Sequence, residues 1–170
     1  LQPYRVARLT AFEDPWEHQF DSGYQLTQAL IAFGRGEWSG LGLGNSIQKL
    51  FFLPEAHTDF LFSIVAEELG FFGAGLVLVF FAGLVLRGIT IGNAARVQNL
   101  HFHALLAYGL ALIIGIQASV NLGVNLGILP TKGLTLPFMS YGGNSLIVSC
   151  SMISIILRVD YETRLSQLTK

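Results

Sequence analysis

The chain has 170 residues and a net charge of −1; 52% of it is hydrophobic, only 12% is charged, and its mean hydropathy is +0.55. Ten basic residues against eleven acidic ones, with no basic run interleaved with aromatics, give no pull toward nucleic acid. The charge is concentrated at the two ends and in one central loop, which is the pattern of an all-α polytopic membrane protein and excludes an ordinary soluble domain. A single Cys150 allows no internal disulfide, and among Val148, Ser149, Ser151 and Met152 it reads as a small buried packing residue. The first residues, from Leu1 to Arg5, lack the features of a signal peptide and read as the middle of a longer protein, of which this is a C-terminal portion.

Residues 1–58 contain no run long enough to span a bilayer but carry Trp16, Phe20, Tyr24, Phe33, Trp38, Phe51 and Phe52, which suit a membrane interface. They are expected to form a large extracytoplasmic loop. Asp14-Pro15-Trp16 and Asp21-Ser22-Gly23 are turn chemistry, and Asp21 or Ser22 is expected to cap a short helix from Tyr24 that ends at Gly34, with Leu26, Ala29, Leu30 and Phe33 on one face. Gly36, Gly40, Gly42 and Gly44 follow, but no strand precedes them and the dinucleotide spacing is absent.

Three uncharged or nearly uncharged runs predict three transmembrane helices, at about 60–86, 102–129 and 138–157. Between the first two, residues 87–96 read as a short polar connection; between the last two, Pro130 and Pro137 bracket a turn that cannot be continuous helix. Residues 159–170 are the polar tail. Arg87 and Arg96 in the connection, with Arg158, Arg164 and Lys170 beyond the last span, outweigh Lys132 in the Pro-bounded turn, so connection and tail are assigned to the cytoplasm. Three crossings then bring the loop that ends at Asp59 and the turn that holds Lys132 to the same outer face.

Leu53-Pro54-Glu55-Ala56-His57-Thr58-Asp59-Phe60 packs two carboxylates, an imidazole and a hydroxyl together just before the first span. Asp59 at the mouth of that span, with Ser63 and Glu67 following at i+4, is a candidate general base above a polar track; the competing reading makes Asp59 a helix cap and pairs Glu67 and Glu68 with a cation elsewhere in the protein. His57 either orients Asp59, meets a phosphate or faces water, and His101 and His103 read as interfacial. In the second span Gln117, Asn121 and Asn125 repeat at i+4 and should face a neighbouring helix or a hydrated cavity, because amides are costly against lipid. Gly115, Ser119, Gly123 and Gly127 form an opposed ridge of small residues, expected to pack so tightly that Ser119→Leu would overpack it. Ser140-Tyr141-Gly142-Gly143-Asn144-Ser145 suggests a helix start that lines a cavity and offers backbone donors to an anion.

These segments closely resemble the SEDS family of shape, elongation, division and sporulation proteins. The likeness rests on the motif from Leu53 to Phe60, on Glu67-Glu68-Leu69-Gly70, on Leu129 to Pro137 with Ser140-Tyr141-Gly142-Gly143, and on Arg158-Val159-Asp160-Tyr161-Glu162, and it covers essentially the whole chain. Ala56, Asp14-Pro15-Trp16 and Gly23 to Gln28 are similar to the family's division branch; the elongation branch usually has Arg in place of Ala56. The resemblance implies a ten-span enzyme of the bacterial inner membrane, located at the division septum, in which this chain supplies the fourth outer loop and the last three spans. It implies peptidoglycan glycosyltransferase activity that polymerises lipid II onto a nascent glycan strand. A cognate class B penicillin-binding transpeptidase of the FtsI type and the regulators FtsQ, FtsL and FtsB are the implied partners. The family's essential acid falls on Asp59 and its functional lysine on Lys132; Glu55, His57, Thr131, Ser140, Tyr141 and Asn144 complete the candidate substrate-binding set, and Asn144 departs from the Ser common at that place.

Such a reaction needs a base for the acceptor hydroxyl and positive charge near the leaving pyrophosphate, roles that Asp59 and Lys132 can fill. A divalent ion at the pyrophosphate stays open, and no metal ligands are assigned. A lipid II transporter or a division scaffold are the competing functions.

Overall fold

The structure, a computed structural model, describes residue 12 and residues 14–17, 20–21, 23–48 and 58–168. Four helices organise them: α1 (Tyr24–Gly36), α2 (Leu61–Val97), α3 (His101–Asn125) and α4 (Gly143–Leu168), with no strand among the described residues. α2, α3 and α4 are each long and apolar enough to cross a membrane. Their outward side chains, Leu76, Val79, Phe102, Leu105, Ile116 and Ile147 among them, are exposed, as a bilayer-facing surface requires.

Helix α1 packs against the start of α2, burying Leu26, Ala29 and Ala32 and setting Phe33 against Phe62 with ring centroids 5.4 Å apart. Its N-cap is Gly23, with no side-chain cap hydrogen bond; Asp21 contributes only its carbonyl, to the Tyr24 N–H, and Ser22 lies outside the described residues. The helix runs past Gly34 to Gly36, where a Cβ would come within 1.9 Å of the Ala66 carbonyl oxygen. Only glycine permits that approach.

The glycines that follow serve a break in α2. At Gly70 the backbone turns to φ 67, ψ −161, which interrupts the helix. The N–H groups of Phe71 and Phe72 donate instead to the carbonyls of Glu37 and Trp38, while the Glu67 and Glu68 carbonyls accept from Leu41 and Gly42. Two helical hydrogen bonds are thus exchanged for four to the loop, which pair the backbone groups of Glu67, Glu68, Phe71 and Phe72 that the break releases. Trp38 lies edge-on to Phe71, centroids 5.4 Å apart, and closes the junction.

The helix ends differ from the expected spans. Residues 87–96 are not a connection: α2 continues through them to Val97, and the link to α3 is Gln98 to Leu100. Charge marks where a chain meets water, but it does not stop a helix that has no Pro or turn chemistry. For the same reason α4 extends beyond residue 157 through the expected tail to Leu168, supported by i,i+4 pairs of Arg158 with Glu162 at 2.8 Å and Asp160 with Arg164 at 2.9 Å. In contrast α3 stops at Asn125 rather than at 129, because Gly127 (φ 69) forms a Schellman turn in which Gly127 N–H bonds to the Val124 carbonyl and Ile128 N–H to that of Gly123. α4 begins at Gly143 rather than 138. Phe138 (φ 65) and the turns around it keep residues 138–142 out of the helix.

One face of α3 is buried along its length: Ala104, Ala107, Ala111, Ile114 and Ala118, then Asn121 and Asn125. This alanine seam makes a close contact with α2, and at Gly115 the small-residue ridge makes another, since a Cβ there would fall 2.9 Å from Val85 Cγ2. A Cβ at Gly88 of α2 would fall 2.6 Å from the Ala111 Cβ. Gly88→Leu is therefore expected to cost about 1–3 kcal/mol by overpacking, read as a lower melting temperature of the purified protein. On the ridge, Gly115 touches Val85, Gly127 terminates the helix, and Ser119 is exposed in an apolar groove of about 670 Å³ between α2 and α3. Within this chain Ser119→Leu has no wall to overpack. Cys150 is likewise exposed on α4 rather than buried.

At the end of the bundle away from Asp59, Arg87 reaches Asp160 (3.7 Å) and His103 reaches Glu162 (2.6 Å), tying α2 and α3 to α4. His103 is therefore a pairing partner rather than a bare interfacial residue. Its hydrogen bond, reinforced by Arg158, holds the Glu162 carboxyl below the usual carboxylate range.

Candidate active site

Asp59 ends the loop that leads into α2. The N-cap residue of α2 is Phe60, whose side chain makes no cap hydrogen bond. Asp59 is half-buried and lies against the turn after Pro130: a Cβ at Gly133 would sit 3.2 Å from Asp59 Oδ2. That turn is tight, with the Leu134 N–H donating to the Lys132 carbonyl at 2.6 Å across Gly133. The absence of a side chain at Gly133 lets the carboxylate approach the residue next to Lys132, which is itself exposed.

Both loops are fastened to the C-terminal end of α3 by its amides. Asn121 Nδ2 donates to the Asp59 carbonyl (3.0 Å) and to the Leu134 carbonyl, and Asn125 Nδ2 donates to the Asp59 carbonyl (2.9 Å). Asn125 Oδ1 accepts from the Ser63 hydroxyl (2.7 Å), and Gln117 Nε2 donates to the Thr135 carbonyl (3.1 Å). Asn121 and Asn125 are almost completely buried, with their Nδ2 groups committed to backbone carbonyls. One residue, Asn121, grips both the segment that carries Asp59 and the segment that carries Lys132.

The start of α4 borders the same end of the bundle. Its first N–H groups have no intrahelical acceptor, and Tyr141, Gly142 and Gly143 line a cavity of about 560 Å³ with Leu61, Met139 and Leu146. Tyr141 is 81% exposed there, and Asn144 is exposed on the first turn. Ser140 lines the cavity too, but is buried with its Oγ accepting the Leu136 N–H at 2.8 Å, which makes it a brace for the Pro-bounded turn. Thr135 and Ser145 join that turn to α4 through their hydroxyls (2.9 Å). Thr131 is half-buried beside Lys132. Glu55 and His57 lie outside the described residues. Among the described residues no group of three or more His, Cys, Asp or Glu side chains is arranged to hold a metal.

Asp59 and the Lys132 turn are brought together, then, with Tyr141 and Asn144 at the neighbouring helix start. The residues that sequence reasoning did not place in the site are Asn121, Asn125 and Gly133. The i+4 amide stripe was the available signal for the first two, but sequence alone does not say that their partners are loop carbonyls rather than another helix. For Gly133 the signal is a glycine next to the lysine of an already Pro-bounded turn.

The FtsW/RodA/SpoVE family model, described as a cell cycle protein, matches residues 1–165. A probable peptidoglycan glycosyltransferase FtsW of Legionella pneumophila is 61% identical over 162 residues, which are 95% of this chain and 41% of that protein. Its counterpart in Hahella chejuensis is 63% identical over 161 residues, again 95% of this chain and 41% of the relative. The chain thus spans about two-fifths of the length of these curated relatives. Among solved structures, a chain from work described as "Structural coordination of polymerization and crosslinking by a peptidoglycan synthase complex" superposes with a TM-score of 0.68 at 32% identity, covering 96% of this chain and 43% of that one.

Proposed function

Since the chain belongs to the FtsW/RodA/SpoVE family of cell cycle proteins, we propose that the protein it comes from is a peptidoglycan glycosyltransferase that polymerises lipid II during cell division. The observation that carries this reading is the approach of the Asp59 carboxylate to the turn at Gly133, one residue from Lys132. Asp59 takes the proton from the 4-hydroxyl of the acceptor sugar as that oxygen attacks the anomeric carbon of the donor. Lys132, with the open N–H groups at the start of α4, offsets the charge that develops on the departing polyprenyl pyrophosphate. A single in-line displacement converts an α-linked donor to a β-linked chain and needs no second catalytic carboxylate, by the logic of inverting sugar transfer. Tyr141, Asn144 and Thr131 border the substrate; Ser140 acts behind them by bracing the turn. Glu55 and His57 belong to the same proposed set through the motif that precedes Asp59.

The setting of this reaction is the bacterial inner membrane at the septum. Residues 1–58 and the Lys132 turn face outward, and the Arg87, His103 and Glu162 cluster faces the cytoplasm. A class B penicillin-binding transpeptidase and the regulators FtsQ, FtsL and FtsB are the proposed partners.

Transport of the lipid-linked precursor is a second reading, favoured by the broken helix at Gly70 beside the buried Glu67. A purified full-length protein incubated with labelled lipid II separates the two, since only a polymerase yields glycan strands without a second enzyme. Lys132→Met, which removes the charge but keeps much of the stem, is expected to lower polymerisation by roughly 10–100-fold in that assay, as the loss of one electrostatic contact to a leaving group does. Unchanged turnover in Lys132→Met would remove the lysine from the mechanism.

A further inference from the structure

At the end of the bundle away from Asp59, a polar cavity of about 290 Å³ opens between α2 and α4. Arg87 of α2 and Asp160, Arg164 and Gln167 of α4 line it, and the buried Ile91 and Thr163 are part of its wall. Two guanidiniums share one carboxylate there. Arg164 meets Asp160 Oδ2 at 2.9 Å, the spacing of a charge-assisted hydrogen bond, but Arg87 stands off at 3.7 Å, too far for one. Asp160 is the one acid among the lining residues, and the neighbouring Glu162 is taken by His103 and Arg158. Positive charge is therefore in excess around the cavity, and both arginines are exposed, with N–H donors to spare. The planar fork of a guanidinium, with the Gln167 amide beside it, suits an anion that offers several oxygens.

The depth of the cavity says which anion. The uncharged run of α2 ends at Leu86 and that of α4 at Leu157, so Arg87 and Arg158 are the first charges past the apolar part of each helix. The cavity begins where the hydrocarbon stops, at the level of lipid phosphates. On the apolar side, Phe80 lies two turns before Arg87 and Leu157 three residues before Asp160, so by helical spacing they continue the faces that line the cavity. Both are exposed. A phosphate seated between the arginines would have an apolar path for attached acyl chains directly below it.

We propose that the cavity between α2 and α4 is a binding site for an anionic phospholipid, whose phosphate meets Arg87 and Arg164 while its acyl chains run along Phe80 and Leu157. The bound phosphate supplies the hydrogen bonds that Asp160 does not give Arg87, and so fastens α2 to α4 at this end of the bundle. A free phosphate ion shares the headgroup chemistry but has no use for the apolar path.

The test uses the full-length protein in nanodiscs of phosphatidylcholine with or without phosphatidylglycerol. Native mass spectrometry of protein released from the mixed nanodiscs should find phosphatidylglycerol retained by the parent, and held about 10–30-fold more weakly by Arg87→Gln/Arg164→Gln, as the loss of two arginines near a membrane surface implies. Phosphatidylglycerol should also raise the melting temperature of the parent and not that of the double variant. Arg96→Gln is the control for diffuse charge: Arg96 is exposed nine residues beyond Arg87, on the opposite side of α2, and its loss should leave retention and melting at the parental values. If inorganic phosphate added to phosphatidylcholine nanodiscs gives the same arginine-dependent rise in melting temperature, the site takes a free phosphate and the acyl path is idle, which overturns the lipid assignment. Should the double variant fail to accumulate, Arg164→Gln carries the test, because it keeps the Arg87 and Asp160 pair between the helices; about 5-fold weaker retention is expected of it. Retention and melting unchanged in the arginine variants, or reduced as much by Arg96→Gln, would overturn the proposal and make the cluster an ordinary solvated ion-pair network.

Discussion

Asp59→Asn is expected to reduce glycan polymerisation by about 10²–10⁴-fold while the protein folds and inserts normally. The substitution isolates basicity. Asn has nearly the shape of Asp, so it fits against Gly133 as the carboxylate does at present. Asn keeps a side-chain carbonyl oxygen that can accept a hydrogen bond at the start of α2, so capping ability is preserved while basicity is removed. The hydrogen bonds that secure the segment run from Asn121 and Asn125 to the Asp59 carbonyl, which the change leaves alone. Stability measured by thermal melting should therefore stay near that of the parent as strand synthesis from labelled lipid II collapses. Full polymerase activity in the folded Asp59→Asn protein would rule out Asp59 as the base and return transport to first place.

Much of this arrangement was legible in the sequence because long apolar runs and prolines are strong signals. The three membrane helices follow from hydropathy alone, and the break between α3 and α4 follows from Pro130 and Pro137. Helix ends were less legible. Charges at Arg87 and Arg158 mark a change of solvent, yet α2 and α4 continue past them, because helix termination is decided by local backbone chemistry such as the Gly127 turn. The break at Gly70 was hidden for a different reason. A glycine within an apolar helix has many uses, and its role here depends on Gly36 and Gly40, about 30 residues earlier, which make room for the loop that repairs the broken ladder. The small-residue ridge was legible in part: Gly115 packs against Val85 of α2 as expected, but Ser119 faces an apolar groove, because spacing identifies a face of α3 without saying how far the neighbouring helix follows it. The amide stripe did predict burial, but its partners lie 13 to 66 residues away, out of reach of any local pattern.

Asn121 is where those long-range partners matter most for the proposed chemistry. Its side chain bonds to both loops, through the carbonyls of Asp59 and Leu134, and it touches neither substrate nor reacting atoms in the proposed mechanism. Asn121→Leu keeps the bulk and removes both bonds. The Leu134 carbonyl loses its Asn121 donor, while Asp59 keeps the bond from Asn125, so the cost in stability should be about 1–3 kcal/mol rather than loss of the fold. The larger effect is expected on catalysis. Freed of their common tether, the Asp59 and Lys132 segments no longer share a fixed separation, and a misplacement on the order of 1 Å costs about 10²-fold in rate. Because Asn121 only positions, kcat per folded molecule should fall while KM for lipid II changes little. Asn121→Asp should behave similarly, since a carboxylate of the same shape has no N–H to donate to either carbonyl. Melting curves and active-fraction measurements separate this from a purely structural role: if either variant retains parental kcat once the folded fraction is counted, Asn121 merely stabilises the bundle and the two loops hold their separation without it.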